Sequence, residues 1–427
     1  MPGKRRRNAE MVEATLARSE DEAYPFWRRN RFALPFATFS LTFGWAIANP
    51  FLPLILREEG VTQDLETWVG NMMGVYFAIS FFLTPVWGVV ADHYGRKPMV
   101  LRTSLGMGIV FLLLAVAPSV GWFVPIFLLL GTTNGFNPAC HALAVTTTPP
   151  QRMGSVLSMV QTGALLGGTF GPAVGAVLAG FLPSYRSLYV ASGLFSIAAG
   201  GMALLLVKER FVRPEAPLKF HLLQDARGIV RIPNLPVLFG LYLVYTLSFN
   251  GSVAIASVYT LEMLPNHGVG DAHGTNLWVG AVSMALPIGS ALAVPVWGRL
   301  LDRFGSPRVL LASLLLGMLA IIPVVAAFTP LHLVLARFVF GAFAVGVGPA
   351  AITLVKHRTP PGMESRVLGY LTAFGMLGLG VGPFIAGEIG PWFGLRTYFG
   401  INGLMLLACL WAWYRSWAGT HPAPAET

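Results

Sequence analysis

Apolar residues along this chain come in long unbroken runs separated by short polar islands. Eleven windows of 18 or more residues lack Asp, Glu, Lys and Arg altogether: 32–56, 67–91, 103–151, 153–185, 187–207, 232–261, 272–298, 309–336, 338–355, 367–387 and 397–414. A helix needs about 20 apolar residues to cross the hydrocarbon core. The longest window is interrupted at Pro118-Ser119-Val120-Gly121 and holds two helices, so the pattern predicts twelve spans. Window 309–336 ends as a helix at Thr329-Pro330, and the next span begins there and continues through Arg337.

Composition agrees with this reading. Of 427 residues 55% are hydrophobic and 11% charged, against about 25% charged in a soluble domain. Residues 1–31 are polar and carry no apolar core, which excludes a cleavable signal peptide, so the first run is expected to stay in the membrane. With the N-terminus inside, the cytoplasmic segments hold 25 of the 29 Lys and Arg, and the outer loops hold Arg57, Arg186 and Arg396. This bias predicts that both termini are cytoplasmic. It also accounts for the net charge of +10 as topology, so no nucleic-acid site is implied. The two cysteines, Cys140 and Cys409, lie inside apolar runs and suggest neither a disulfide framework nor a metal site.

One polar island is repeated. Gly88-Val89-Val90-Ala91-Asp92-His93-Tyr94-Gly95-Arg96-Lys97-Pro98 returns as Gly298-Arg299-Leu300-Leu301-Asp302-Arg303-Phe304-Gly305-Ser306-Pro307-Arg308, with Pro and Trp ahead of the first Gly in both copies. Further matches follow at a constant offset of 211 residues: Thr148-Pro149-Pro150 with Thr359-Pro360-Pro361, and Gly171-Pro172 with Gly382-Pro383. Six helices are therefore duplicated in parallel halves. The expected division is a tail (1–31), an N-terminal bundle (32–207), a cytoplasmic linker (208–235), a C-terminal bundle (236–415) and a second tail (416–427). The linker segment from Phe220 to Ile232 gathers its apolar residues on one face and is expected to lie on the inner leaflet as a short helix.

The repeated island resembles the loop between helices 2 and 3 of the major facilitator superfamily and its degenerate copy between helices 8 and 9. The resemblance covers about Phe32 to Arg415. It implies an all-α membrane protein of two pseudo-symmetric six-helix bundles. It further implies that Asp92, with Gly88, Gly95, Arg96 and Lys97, meets the start of helix 11 and holds the cytoplasmic side shut. Asp92 ends its own helix, where the dipole disfavours an anion, and the start of another helix is where a carboxylate is welcome. Gly298, Asp302, Gly305 and Arg308 imply a second, weaker latch on helix 5, since Ser306-Pro307 replaces the basic pair.

On helix 5, Gly163, Gly167, Gly171, Pro172 and Gly175 form a small-residue run that favours close helix packing. Within it Gly171, Pro172 and Gly175, spaced Gly-Pro-x-x-Gly, resemble the signature of drug:proton antiporters in the superfamily. Helix 11 carries a related run at Gly378, Gly382, Pro383 and Gly387. Arg337 is a charge inside a span and needs a partner or a wet cavity. Glu388, flanked by apolar sequence near the outer end, is expected to pair with it in one conformation and to release it on protonation, and with Arg337 and His141 it forms the candidate proton-coupling set. By the resemblance, helices 1, 4, 7 and 10 line the central cavity. Their few polar side chains, Asn49, Asn134, Asn137, His141, Tyr245, Asn250 and Arg337, accompany aromatics and suit a lipophilic small molecule.

No catalytic cluster, cofactor motif or metal-ligand spacing appears, so an enzyme is not expected. The sequence reads as a proton-coupled exporter of lipophilic small molecules, a plasma-membrane monomer. A transporter of a polar metabolite, and a non-transporting receptor or lipid-handling protein, remain the alternatives.

Overall fold

A computed structural model describes residues 24–150, 152–211, 232, 234–267, 271–360 and 363–418, and these residues are helical apart from short connections. Among the described residues eleven helices are long and apolar enough to cross a membrane, and α4, in two shorter pieces, makes the twelfth span: α1 (Trp27–Glu58), α2 (Leu65–Tyr94), α3 (Arg96–Ala115), α4 (Phe123–Thr133 and Phe136–Thr147), α5 (Met153–Phe181), α6 (Ser187–Leu206), α7 (Leu235–Met263), α8 (Ala272–Phe304), α9 (Ser306–Val325), α10 (Pro330–Arg358), α11 (Glu364–Phe393) and α12 (Leu395–Ala418). The expected linker helix and both tails lie almost wholly outside the described residues. Phe82, Phe181 and Trp392 stand more than two-thirds exposed, as side chains facing lipid would.

Span α1 starts five residues before the apolar window. Trp27 is buried, and Arg28 and Arg31 stack on its ring. Asn30 is fully enclosed and exchanges two hydrogen bonds with the backbone of Lys208, just past the end of α6. The polar residues 28–31 are thus part of the first bundle and not a loose tail.

In the first bundle α1 packs on α5 and α6, α3 on α6, and α2 on α4. In the second α7 packs on α11 and α12, α8 on α10, and α9 on α12. The helix 5 glycines explain the first of these contacts. A Cβ on Gly167 would lie 2.5 Å from the Phe39 carbonyl, and one on Gly171 3.0 Å from the Phe43 carbonyl, while Gly175 faces Ile47 of the same α1. On α11, Gly378 and Gly382 meet α7 in the same way, at Leu243 and Leu247. Gly378 and Gly382 thus pack helices within their bundle, as the α5 glycines do, whereas Gly387 and the Pro383 carbonyl face α2 of the other bundle. The bundles meet along two other seams, α2 with α11 and α5 with α8.

Spans α4 and α10 are interrupted at corresponding places. In α4 the chain extends at Asn134 and turns left-handed at Gly135 (φ +116°), a conformation that favours glycine. Side chains of neighbouring spans bind the carbonyls around each break, where the membrane offers no water; Gly131 O and Gly341 O keep a backbone donor as well. Arg102 donates to Thr132 O (2.8 Å) and Asn134 O (3.0 Å), and the Ser80 hydroxyl donates to Gly131 O (3.2 Å). In α10, Ser290 donates to Gly341 O (3.1 Å), the Trp297 indole to Ala342 O (2.8 Å) and Ser313 to Phe343 O (3.1 Å). Ser80 and Ser290 are 210 residues apart and so are Gly131 and Gly341, so the duplication preserved the bond as well as the helices.

Candidate functional site

The candidate site is the space between the bundles together with the two ends that open or close it. At the end carrying Glu66 the bundles touch backbone to backbone. A Cβ on Gly70 would lie 2.5 Å from Pro383 O, and one on Gly387 2.6 Å from Glu66 O. Gly74 and Gly380 face Phe384 and Phe77 across the same seam. Thr67 donates to Gly387 O at 2.9 Å. The α5–α8 seam closes beside it: the Tyr185 hydroxyl donates to Asn276 Oδ1 (2.9 Å), and Gly280 packs on Pro172 and Ala176. Burial raises the Tyr185 phenol above its ordinary value, partly offset by the bond to Asn276.

At the other end, which carries Asp92, the spans part. The seam of α2 with α11 continues to Thr84, whose hydroxyl meets the Met376 sulfur at 3.2 Å. No residue of α2 after Ser80 is buried. A methyl group on Gly88 or on Gly298 would meet nothing within 4 Å. The Asp92 side chain is 74% exposed and reaches only Arg96, four residues on, at 3.5 Å among the described residues. Among the described residues Asp92 makes no contact with α11, and the side chains at 364–366 that open that span lie outside the description. Gly88 and Gly298 are vacant faces where another span would fit.

The rest of the repeated loop is held within its own bundle. Glu209 places its carboxylate on the N–H groups of Arg96 (3.0 Å to each oxygen) and Lys97 (2.8 Å), the first residues of α3. An anion there satisfies orphan donors and complements the helix dipole. Gly95 makes the turn at φ +96°, and the Lys97 ammonium donates to Leu204 O (2.9 Å) at the end of α6. Arg96 and Lys97 thus tie the loop to the exit of the first bundle. Sequence reasoning missed Glu209, which reads as one linker charge among many.

The proposed cavity side chains are largely engaged elsewhere. Asn134 bridges Ser80 and Gly135 at the break of α4 (3.0 and 2.7 Å). Asn250 donates to Thr246 O, one turn back on α7. Asn49 borders a void of about 10 Å³ inside the first bundle, too small to hold a drug. Tyr245 lies in an aromatic row with Tyr242, Phe249 and Phe340. The side chain of Asn137 is outside the description.

Arg337 is held by backbone carbonyls in this conformation. It is 1% exposed and turned into its own bundle, where its guanidinium donates to Val282 O of α8 (3.0 Å) and Ser252 O of α7 (2.9 Å). Glu388 is exposed and does not pair with it in this conformation. His141 is half-buried, with Nε2 enclosed and without a partner among the described residues. Arg102 is a second cation that the pattern hid. Besides its bonds to α4, it lies 3.8 Å over the Trp87 ring.

Twelve spans in two like bundles, sealed at one end and parted at the other, define a polytopic membrane transporter. The chain belongs to the major facilitator superfamily, whose family model matches residues 34–277 and 238–427. It is 30% identical over 384 residues to the multidrug resistance protein MdtG of Yersinia enterocolitica, covering 89% of this chain and 91% of that one. The MdtG of an Escherichia coli strain is 28% identical over 392 residues, covering 91% and 94%. Among solved structures, a bacterial homologue of the human lysosomal transporter Spinster, inward-facing and unoccupied, aligns with TM-score 0.74 at 14% identity, covering 94% and 99%. The human organic anion transporter MFSD10 aligns with TM-score 0.67 at 18% identity, covering 91% and 99%.

Proposed function

We propose that this transporter exports lipophilic small molecules in exchange for protons, by alternating exposure of the space between its bundles. The observation that carries the reading is the one-sided closure, with glycine faces meeting at Gly70 and Gly387 and vacant faces at Gly88 and Gly298. Likeness to multidrug resistance proteins supports the drug class. The excess of Lys and Arg on the Asp92 side supports a cytoplasmic position for that end and for both termini. The conformation described is then the inward-open one, and Asp92 engages α11 when the inner side shuts. Residues 32–207 and 236–415 act as the two moving bodies, joined by 208–235.

The test is transport by purified protein in sealed vesicles under an imposed pH gradient, over a panel of lipophilic dyes, sugars and organic acids. Dye movement that follows the gradient is expected. Movement of sugars or acids alone would reassign the substrate to a polar metabolite, and gradient-independent movement would remove the proton. Glu388→Gln decides the coupling residue: an unchanged pH dependence would exclude Glu388.

A further inference from the structure

The two copies of the repeated loop differ in what covers the helix that follows them. In the first, the Glu209 carboxylate sits on the opening N–H groups of α3. In the second, α9 begins after Gly305 (φ +79°) with no side-chain cap, and the N–H groups of Ser306 and Arg308 have no helical acceptor. That helix end opens on a recess of about 580 Å³ between the α8–α9 turn and the end of α10.

Three further groups converge there. Ser306 is 6% exposed, lines the recess, and its hydroxyl has no partner among the described residues. His357 and Arg358 line the opposite wall from the last turn of α10 and form no ion pair among the described residues. A helix start, an idle hydroxyl on a largely buried residue and a guanidinium around one recess make a binding set for a tetrahedral oxyanion. Asp302 also lines the recess and is exposed. Its charge opposes a multiply charged anion more than a singly charged one.

The geometry points to a binding site for a singly charged phosphate group in this recess, held by the start of α9, Ser306, His357 and Arg358. The same chemistry has two sources, a phospholipid headgroup of the adjoining leaflet or a soluble phosphate. The inference does not depend on the transported substrate.

The full chain is purified in detergent and stripped of lipid. One arm adds phosphatidylglycerol and counts retained lipid by native mass spectrometry. The other titrates inorganic phosphate calorimetrically. Ser306→Ala and Arg358→Gln are compared with Arg308→Gln, whose side chain does not line the recess. Arg358→Gln should weaken binding about tenfold, the worth of one charge-assisted hydrogen bond, and Ser306→Ala by about fivefold. Arg308→Gln should change it less than about twofold. This pattern in the lipid arm identifies a headgroup, and in the phosphate arm alone a soluble ligand. Equal losses in all three variants would mean a diffuse basic surface and overturn the site, as would no loss in any. If Arg358→Gln fails to fold, Ser306→Ala against Arg308→Gln decides alone.

Discussion

Thr67 of α2 and Gly387 of α11 are joined across the two bundles by a hydroxyl-to-carbonyl hydrogen bond of 2.9 Å. The bond is possible because Gly70 and Gly387 bring the two backbones together where a methyl group on either would collide with Pro383 O or Glu66 O. Under the proposed alternating exposure the contact belongs to one of two states, so its disruption acts on the balance between them.

Gly70→Ala should therefore part the Glu66 end. Overpacking costs about 2 kcal/mol, roughly a thirtyfold shift in the two-state balance. Spin labels on Gln63 and Ala272, both exposed at that end, report the distance across it. The longer distance should predominate in Gly70→Ala and in Gly387→Ala. Gly168→Ala, with open space around it, should match the parent. A distance distribution unchanged in the first two variants would show that the seam does not set the balance.

The Asp92 end gives the reverse expectation. Gly88→Val meets nothing here, so thermal stability should stay within about 0.5 kcal/mol of the parent. Transport should fall strongly, because the vacant face is filled when that end closes. Asp92→Asn should behave alike, since its exposed carboxylate contributes little in this conformation. Stability and vesicle transport measured on the same preparations separate the two effects. Full transport by both variants would take the repeated loop out of the cycle.

Glu209 offers a prediction confined to one bundle. Its carboxylate holds the N–H groups of both Arg96 and Lys97. Glu209→Ala should cost about 1 kcal/mol, as loss of a helix cap does, and Glu209→Gln somewhat less. Hydrogen exchange at the amides of Arg96 and Lys97 should speed up in both, with the Glu66 end unaffected. Exchange unchanged at those two amides would mean that solvent serves the start of α3 equally well.

The twelve spans were legible because absence of charge over 18 or more residues is a signal along one dimension, and the duplication because its offset holds through both halves. Contacts between spans need a third dimension. Gly70 and Gly387 look like any other membrane glycines until α2 and α11 are known to face each other. Arg102 read as a loop charge because it ended an apolar window, yet α3 already runs from Arg96 and carries it inward to the break in α4. Asn134 was correctly placed on α4, but its amide closes the break and so is spent on the fold. Arg337 lies inside a span and is buried. Its partners are backbone carbonyls, which no pattern of side chains reveals.

That arrangement of Arg337 yields an inverted order of substitutions. Ser252 and Val282 lie inside α7 and α8, so their carbonyls are at positions with helical partners of their own. Arg337→Met removes a buried charge and keeps the packing volume, and exchange of buried ionic groups for apolar ones is often neutral. Its stability should lie within about 1 kcal/mol of the parent. Arg337→Lys retains the charge, but a single ammonium cannot span carbonyls that the planar guanidinium reaches with two different nitrogens. That variant should lose about 2 kcal/mol, the worth of a hydrogen bond to a charged group. Denaturation in detergent ranks the three proteins. If the methionine variant is the less stable of the two, Arg337 has an anionic partner in another conformation, and Glu388 is the first carboxylate to test against it by a double-mutant cycle.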